Sequence, residues 1–185
     1  MYLSVRSYYS LRYGVLSIEE LVERAKELDI NCLALTDINN TTGIIDFIFE
    51  CHKQNIKPIG GIEFRNRDRW MYTGIAKNNE GFHWLNNFFS KYNLNKAEFP
   101  VEPPELTDVY FILPFDCIDN VELRENEFIG IQLHEINKLF TYQDFPHKEK
   151  LVFFNAVTFT DPNQWELHQH LRAIDHNILL SQLEE

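Results

Sequence analysis

Few side chains in this sequence could do chemistry, and they are widely spaced. Asp37 follows the short apolar run Cys32-Leu-Ala-Leu35, Glu63 closes the run Lys57-Pro-Ile-Gly-Gly-Ile-Glu63, and Arg6 follows the opening run Tyr2-Leu-Ser-Val5. Asp37 could serve as a general base, but with no partner beside it a turn-forming or helix-capping role is the plainer reading. Arg65, Arg67 and Arg69, with Asp68 among them, are either a solvated loop or a contact for phosphate or DNA. His168 and His170 stand two apart on a predicted helix, so they face different ways and cannot chelate together as an i, i+4 pair would. His52, His83, His134 and His147 belong to separate elements and loops, and each reads as exposed or simply hydrogen-bonded. Cys32, Cys51 and Cys117 are odd in number and far apart, which suggests neither a disulfide framework nor a zinc knuckle. They read as small buried hydrophobes in a reducing cytoplasm. The sequence has no Gly-x-Gly-x-x-Gly or Walker-type loop to cradle phosphates and no Gly-x-Ser-x-Gly elbow; Gly60-Gly61 reads as a close-packing turn.

These residues need elements to position them. The run Asn31–Asp37 is short and apolar at its centre and stops at the turn formers Asn39-Asn40, as does a strand buried on both faces. Ahead of it, Ser17 and Glu20 form a capping-box pattern, and Leu21, Val22, Ala25 and Leu28 supply a stripe at helical spacing. A second helix is expected from about Thr42 to Gln54, with Ile45, Ile48 and Phe49 on one side. Strands are expected at Tyr2–Arg6, Lys57–Phe64, Trp70–Ala76, Val109–Leu113, Glu127–Leu133 and Leu151–Phe159. Further helices are expected at Phe82–Tyr92, where Leu85, Phe88 and Phe89 point inward, and in the segment His134–Asp144 as a short helix plus turn. A last helix capped by Asp161-Pro162 runs through Trp165, Leu167, Leu171 and Ile174 toward Leu183. Pro100, Pro103 and Pro104 interrupt regular structure, and Asp116–Glu125 reads as an acidic loop. Strands alternating with helices at this pitch predict an α/β fold with parallel strands, most simply a distorted (β/α) barrel of about seven strands, with an open α/β sheet as the other arrangement. Function in such folds collects at the carboxyl ends of the strands, where Ser4, Arg6, Asp37, Ile38 and Glu63 fall.

At 185 residues the chain reads as a single domain, residues 1–185, able to bury a core without staples. No apolar run reaches the roughly 20 residues of a membrane span, and no signal peptide opens the sequence. The net charge of −11 argues against a domain that grips nucleic acid by itself.

Several stretches together resemble one family. Ser7-Tyr-Tyr-Ser-Leu with Gly14, Leu21-Val-Glu-Arg-Ala-Lys-Glu-Leu28, Ala34-Leu-Thr-Asp37, Lys57-Pro-Ile-Gly-Gly-Ile-Glu63, Ala76-Lys-Asn-Asn-Glu-Gly81 and Leu167-His-Gln-His-Leu-Arg-Ala-Ile174 are similar to the N-terminal PHP (polymerase and histidinol phosphatase) domain of the bacterial DNA polymerase III alpha subunit. The resemblance covers most of the chain in the family's order; residues 97–148 match poorly. It implies a (β/α) barrel on which histidines and carboxylates at the strand ends hold divalent metals for phosphoester chemistry. Set against that pattern, Ser4 and Arg6 replace the opening His-x-His, Tyr13 an acidic residue, Ile38 and Met71 histidines, and Ala156 and Thr158 an Asp-x-His pair. Glu63 alone is retained. One carboxylate cannot hold a metal cluster, so the expectation is a lost divalent metal site and no catalysis by this chain.

Arg6 replaces a ligand while the matching carboxylate remains, so the expectation is that it pairs with Glu63; the other arrangement turns Arg6 to solvent. The resemblance further implies a cytoplasmic replication protein whose polymerase active site lies in later domains. This piece would then support the polymerase body, offer a surface to the proofreading exonuclease subunit, and meet DNA only through the parent DNA-directed DNA polymerase. Two other readings stand beside it: a phosphoesterase or 3'-5' exonuclease with an altered metal set, and a stand-alone barrel that binds a small anion at Arg6.

Overall fold

The computed structural model describes residues 2–117, 122–142 and 147–183. Seven strands, β1 (Tyr2–Val5), β2 (Cys32–Leu35), β3 (Lys57–Asn66), β4 (Arg69–Ala76), β5 (Val109–Pro114), β6 (Glu127–Ile131) and β7 (Leu151–Phe153), alternate with α1 (Ile18–Glu27), α2 (Ile44–Lys53), α3 (Asn79–Leu94) and α4 (Pro162–His176). The strands neighbour one another in chain order, which is how a (β/α) barrel is wound and not how a doubly wound open sheet is. The chain divides into two compact units, residues 1–59 with 156–185 and residues 60–155.

In the first unit β1 and β2 pair in parallel, Val5 opposite Leu35, and the isolated residue Val157 bridges Val5 from the other side. The capping box forms as the sequence predicts: Ser17 Oγ accepts from Glu20 N–H at 3.1 Å and the Glu20 carboxylate accepts from Ser17 N–H at 2.8 Å. Ile18, Leu21, Val22 and Ala25 are buried, whereas Leu28 is exposed at the end of the helix. The buried face of α2 is not the side that Ile45 and Phe49 mark. Ile44, Phe47 and Cys51 are buried, while Ile45 and Phe49 are 59% and 63% exposed. Apolar residues surround most of this helix, so periodicity alone does not choose its face. The last helix behaves similarly: His168 and Ala173 are its buried residues, and Trp165, Leu167 and Ile174 are exposed.

The second unit departs from an all-parallel sheet. β3 and β4 form an antiparallel hairpin across Arg67-Asp68, with Arg67 in the left-handed region at φ 56°, and β4 pairs antiparallel with β5; β5, β6 and β7 are parallel. Only two residues separate β3 from β4, too few for a helical crossover. The core here is largely aromatic. Phe64 meets Tyr72, Phe88 and Phe99 at centroid distances of 5.3, 5.5 and 5.1 Å, and Phe111 meets Tyr72 edge-on. Phe99 belongs to the proline-broken stretch, yet Asn66 fixes it by two hydrogen bonds of 2.8 Å to its backbone N–H and C=O. The expected strand Leu151–Phe159 is shorter than predicted: β7 ends at Phe153. His134 lies in a run of 3-10 turns from Leu133 to Tyr142, and the centre of the acidic loop and the end of the turn at Asp144 lie outside the described residues.

The two sides of α2 give a direct check. Phe47→Ala should destabilise the protein by about 3–5 kcal/mol, and Phe49→Ala by no more than about 0.5 kcal/mol, in urea unfolding followed by circular dichroism. Equal losses would return Phe49 to the core.

Candidate functional site

The carboxyl ends of β1 and β2 carry the most developed polar arrangement in the first unit. Asp37, just past β2, is buried, and its carboxylate accepts three hydrogen bonds: Ser7 N–H at 2.7 Å, Ser7 Oγ–H at 2.8 Å and Ser10 Oγ–H at 2.7 Å. Ser10 Oγ in turn accepts from Ile38 N–H at 3.0 Å. The loop after β1 is thus fastened to the end of β2 by one side chain. Burial pushes the Asp37 carboxyl up to about 6, against the opposing pull of the Ser10 and Ser7 hydrogen bonds and of the Arg6 charge. Gly14 is where this loop passes closest to itself, since a Cβ there would stand 1.8 Å from the Ser7 carbonyl oxygen.

Arg6 is buried and hydrogen-bonded through its N–H to Val157 O at 2.9 Å. Its guanidinium lies 4.9 Å from the centroid of the Tyr13 ring, and that of Arg172 from α4 lies at the same distance. His168 meets Tyr13 edge-on at 4.7 Å, with Nδ1 2.6 Å from the Tyr13 carbonyl oxygen, and Trp165 and Phe159 pack on the imidazole at 5.7 Å. His168 is therefore an internal, hydrogen-bonded histidine, as its apolar neighbours would lead one to expect. Ser4 and Thr158 are buried, and Ala156 is partly buried. Of the positions that the sequence singled out, Ser4, Arg6, Tyr13, Ile38, Ala156 and Thr158 all belong to this unit.

Glu63 and Met71 belong to the second unit. Glu63 is fully buried in β3, and its Oε1 accepts from Arg65 Nε at 2.5 Å. The sequence reading overlooked this partner by assigning Arg65 to a solvated loop with Arg67 and Arg69. The signal was available, because residues two apart on a strand share a face. Arg67 and Arg69 are exposed as expected. Met71 is the extra residue of a β-bulge: Phe64 pairs with Tyr72 and Arg65 with Trp70, which leaves Met71 unopposed. Its side chain joins the core and lines a cavity of about 290 Å³ with Trp70, Phe115, Cys117 and Gln132. Burial raises the Cys117 thiol, with Asp116 adding to the rise and Arg69 opposing it, so it is held as a thiol and not as a nucleophilic thiolate.

The residues at the expected ligand positions do not fit a divalent cation. Isoleucine, methionine and alanine side chains are not ligands for hard or borderline metals, and a guanidinium brings its own positive charge. Among the described residues no group of three or more His, Cys, Asp or Glu side chains could hold a metal ion.

Residues 3–113 match the PHP domain family. This chain belongs to that family. It is 33% identical over 100 residues to DNA polymerase III subunit alpha of Ureaplasma parvum, covering 54% of this chain and 10% of that protein. The subunit alpha of Streptococcus pyogenes is 22% identical over 187 aligned residues, covering 97% of this chain and 17% of its own length. The chain thus spans a small fraction of the curated relatives it matches. Among solved structures, an amidohydrolase from Chromobacterium violaceum with bound sulfate and no metal aligns over 96% of this chain and 84% of its own at 11% identity and a TM-score of 0.42. A putative metal-dependent phosphoesterase from Bifidobacterium adolescentis aligns over the same shares of the two chains at 10% identity and a TM-score of 0.40. Within the PHP chain the residues that sequence reading missed are Ser7 and Ser10 as donors to Asp37, Arg172 on Tyr13, and Arg65 on Glu63. No helix among the described residues is long and apolar enough to cross a membrane.

Asp37 gives the site a pH signature. Its folded value of about 6 lies above the ordinary 3.8, so the native state holds the proton more tightly than the unfolded chain does. Its contribution to stability is complete below about pH 4 and is lost as pH rises through 6. The stability of the natural protein relative to Asp37→Asn should therefore fall by on the order of 3 kcal/mol between pH 4 and 7.5 in urea titrations. A difference that stays flat over this range would mean an unperturbed carboxylate.

Proposed function

We propose that this chain is the PHP portion of a DNA polymerase III alpha-type replication protein and that it acts there without metal or catalysis, as a structural support and docking surface. The observation that carries the reading is the pairing of a match across 97% of the chain with ligand positions occupied by Ser4, Arg6, Tyr13, Ile38, Met71, Ala156 and Thr158. A phosphoesterase of this kind needs metals both to activate water and to clamp phosphate oxygens. With an arginine, an isoleucine, a methionine and an alanine among the ligand positions both steps lose their metal, while Glu63, the one retained carboxylate, is neutralised by Arg65.

The supporting role draws on the surface. Ile45 and Phe49 on α2, and Leu167 and Ile174 on α4, leave apolar area in water that a partner can cover. The partners of this reading are the remaining polymerase domains and the proofreading exonuclease subunit. With a net charge of −11, the chain reaches DNA only through the parent polymerase, in the cytoplasm.

Elemental analysis of the purified chain, dialysed against manganese, zinc and iron, tests the metal-free reading. Bound metal should stay far below one ion per chain, and neither bis-p-nitrophenyl phosphate nor end-labelled single-stranded DNA should be hydrolysed above the buffer rate. Stoichiometric metal, together with hydrolysis that disappears in Glu63→Gln, would replace this reading with the altered-metal phosphoesterase or 3'-5' exonuclease.

A further inference from the structure

The second unit holds a cavity of about 290 Å³ whose walls are fixed and whose polar groups are largely unspent. The bulge at Met71 shifts the register between the pairs Phe64–Tyr72 and Arg65–Trp70, and both Trp70 and Met71 line the cavity. Trp70 is held there twice. Its ring stacks on Phe154 at 5.2 Å, and its Nε1–H donates to Thr73 Oγ1 at 3.1 Å. Phe115 completes the apolar wall and is itself packed edge-on against Tyr142 at 5.4 Å. The volume stands at about the lower bound for small-molecule sites, which suits a molecule of amino-acid size.

Three polar side chains line the same cavity with their bonding capacity unused. Among the described residues, the Arg69 guanidinium, the Asp116 carboxylate and the Gln132 amide make no hydrogen bond or ion pair. Glu135 and Lys138, also on the wall, answer each other at 4.0 Å, and Glu135 accepts from Gln132 N–H at 3.0 Å. The two free charges have opposite sign and do not pair with each other, yet both act on one neighbour. Burial first raises the Cys117 thiol, then Asp116 raises it further and Arg69 pulls it down. Such a pair does not favour a phosphate or a metal ion, since one of the two charges would repel either. It suits a ligand that carries both signs on an apolar body. We propose that the cavity binds a free α-amino acid with an apolar side chain, its carboxylate on Arg69, its ammonium on Asp116 and its side chain against Trp70, Met71 and Phe115. The guanidinium fork matches a carboxylate through two parallel hydrogen bonds, and the Gln132 amide offers a further donor and acceptor beside it. The inference is independent of whether the chain serves a polymerase, and the metal analysis above does not decide it.

Trp70 is one of three tryptophans, so replacing the others by Trp84→Phe and Trp165→Phe makes it the sole reporter in the whole chain. L-Phenylalanine and L-leucine should shift its emission saturably, and calorimetric titration of the natural chain should give the same dissociation constants. N-Acetyl-L-phenylalanine lacks the ammonium and L-phenylalaninamide lacks the carboxylate. Each should bind the natural chain about tenfold more weakly than phenylalanine, the worth of one charged contact at an open rim. In Asp116→Asn the acetylated compound should bind as well as the amino acid, and in Arg69→Gln the amide should. Both side chains are exposed, so these variants keep the fold. No saturable response to either amino acid, or equal binding of all three phenylalanine compounds by the natural chain, would overturn the proposal.

Discussion

A carboxylate removed from water must be met by donors, and the first unit is arranged around meeting that demand for Asp37. Its oxygens collect an amide N–H and two hydroxyls from Ser7 and Ser10, residues some 30 positions earlier in the chain. The loop after β1 has to double back to deliver them. Ser10 N–H and Gly14 N–H close the loop on Ser7 O and Ser10 O at 2.9 and 2.8 Å, and Gly14 supplies the space where the chain crosses itself. Tyr13 is placed by the same turn, and its ring is the surface on which Arg6 and Arg172 rest. Burial still leaves the Asp37 carboxyl raised, so the donors offset the desolvation without cancelling it. The second unit meets the same problem at Glu63 by other means: a cation two residues along the same strand. A fully buried carboxylate with a fixed guanidinium beside it costs much less than one without.

How much of this was legible from sequence depends on whether a local rule governed the outcome. The Ser17–Glu20 capping box is a local pattern and formed as read. The apolar cores of β1 to β6 were also legible, because continuous short apolar runs bounded by turn formers have few alternatives. Strand direction was not read correctly between β3 and β5. Runs buried on both faces look alike whether parallel or antiparallel, although the two-residue gap at Arg67-Asp68 was a usable sign of a hairpin. The buried face of α2 was not legible for a related reason: when apolar residues occupy most of a helix, tertiary packing chooses the stripe. In α4 packing buries His168, a residue type of intermediate burial.

The candidate site was legible as a set of positions and much less so as a set of contacts. Ser4, Arg6, Ala156 and Thr158 were brought to notice by what they replace, and the Val5–Val157 bridge does set Ala156 and Thr158 beside β1. The donors to Asp37, the second arginine on Tyr13 and the partner of Glu63 depend on loop closure, helix docking and strand pleat, none of which a list of substitutions contains.

Reading those substitutions only as losses also misses their sign. A metal pocket is lined with acceptors, the imidazole nitrogens and carboxylate oxygens that donate lone pairs to a cation. Replacing them with a guanidinium and hydroxyls does more than remove affinity for cations, because each new group can donate a hydrogen bond and one carries a fixed positive charge. A fixed guanidinium beside the other positions disfavours a cation more strongly than an apolar side chain would. Apolar residues stand at Ile38, Met71 and Ala156, and they remove ligands without adding a donor or a charge. The hydroxyls are not free of cost: among the described residues buried Ser4 Oγ and Thr36 Oγ1 have no hydrogen-bond partner, a penalty that the packing around them has to offset.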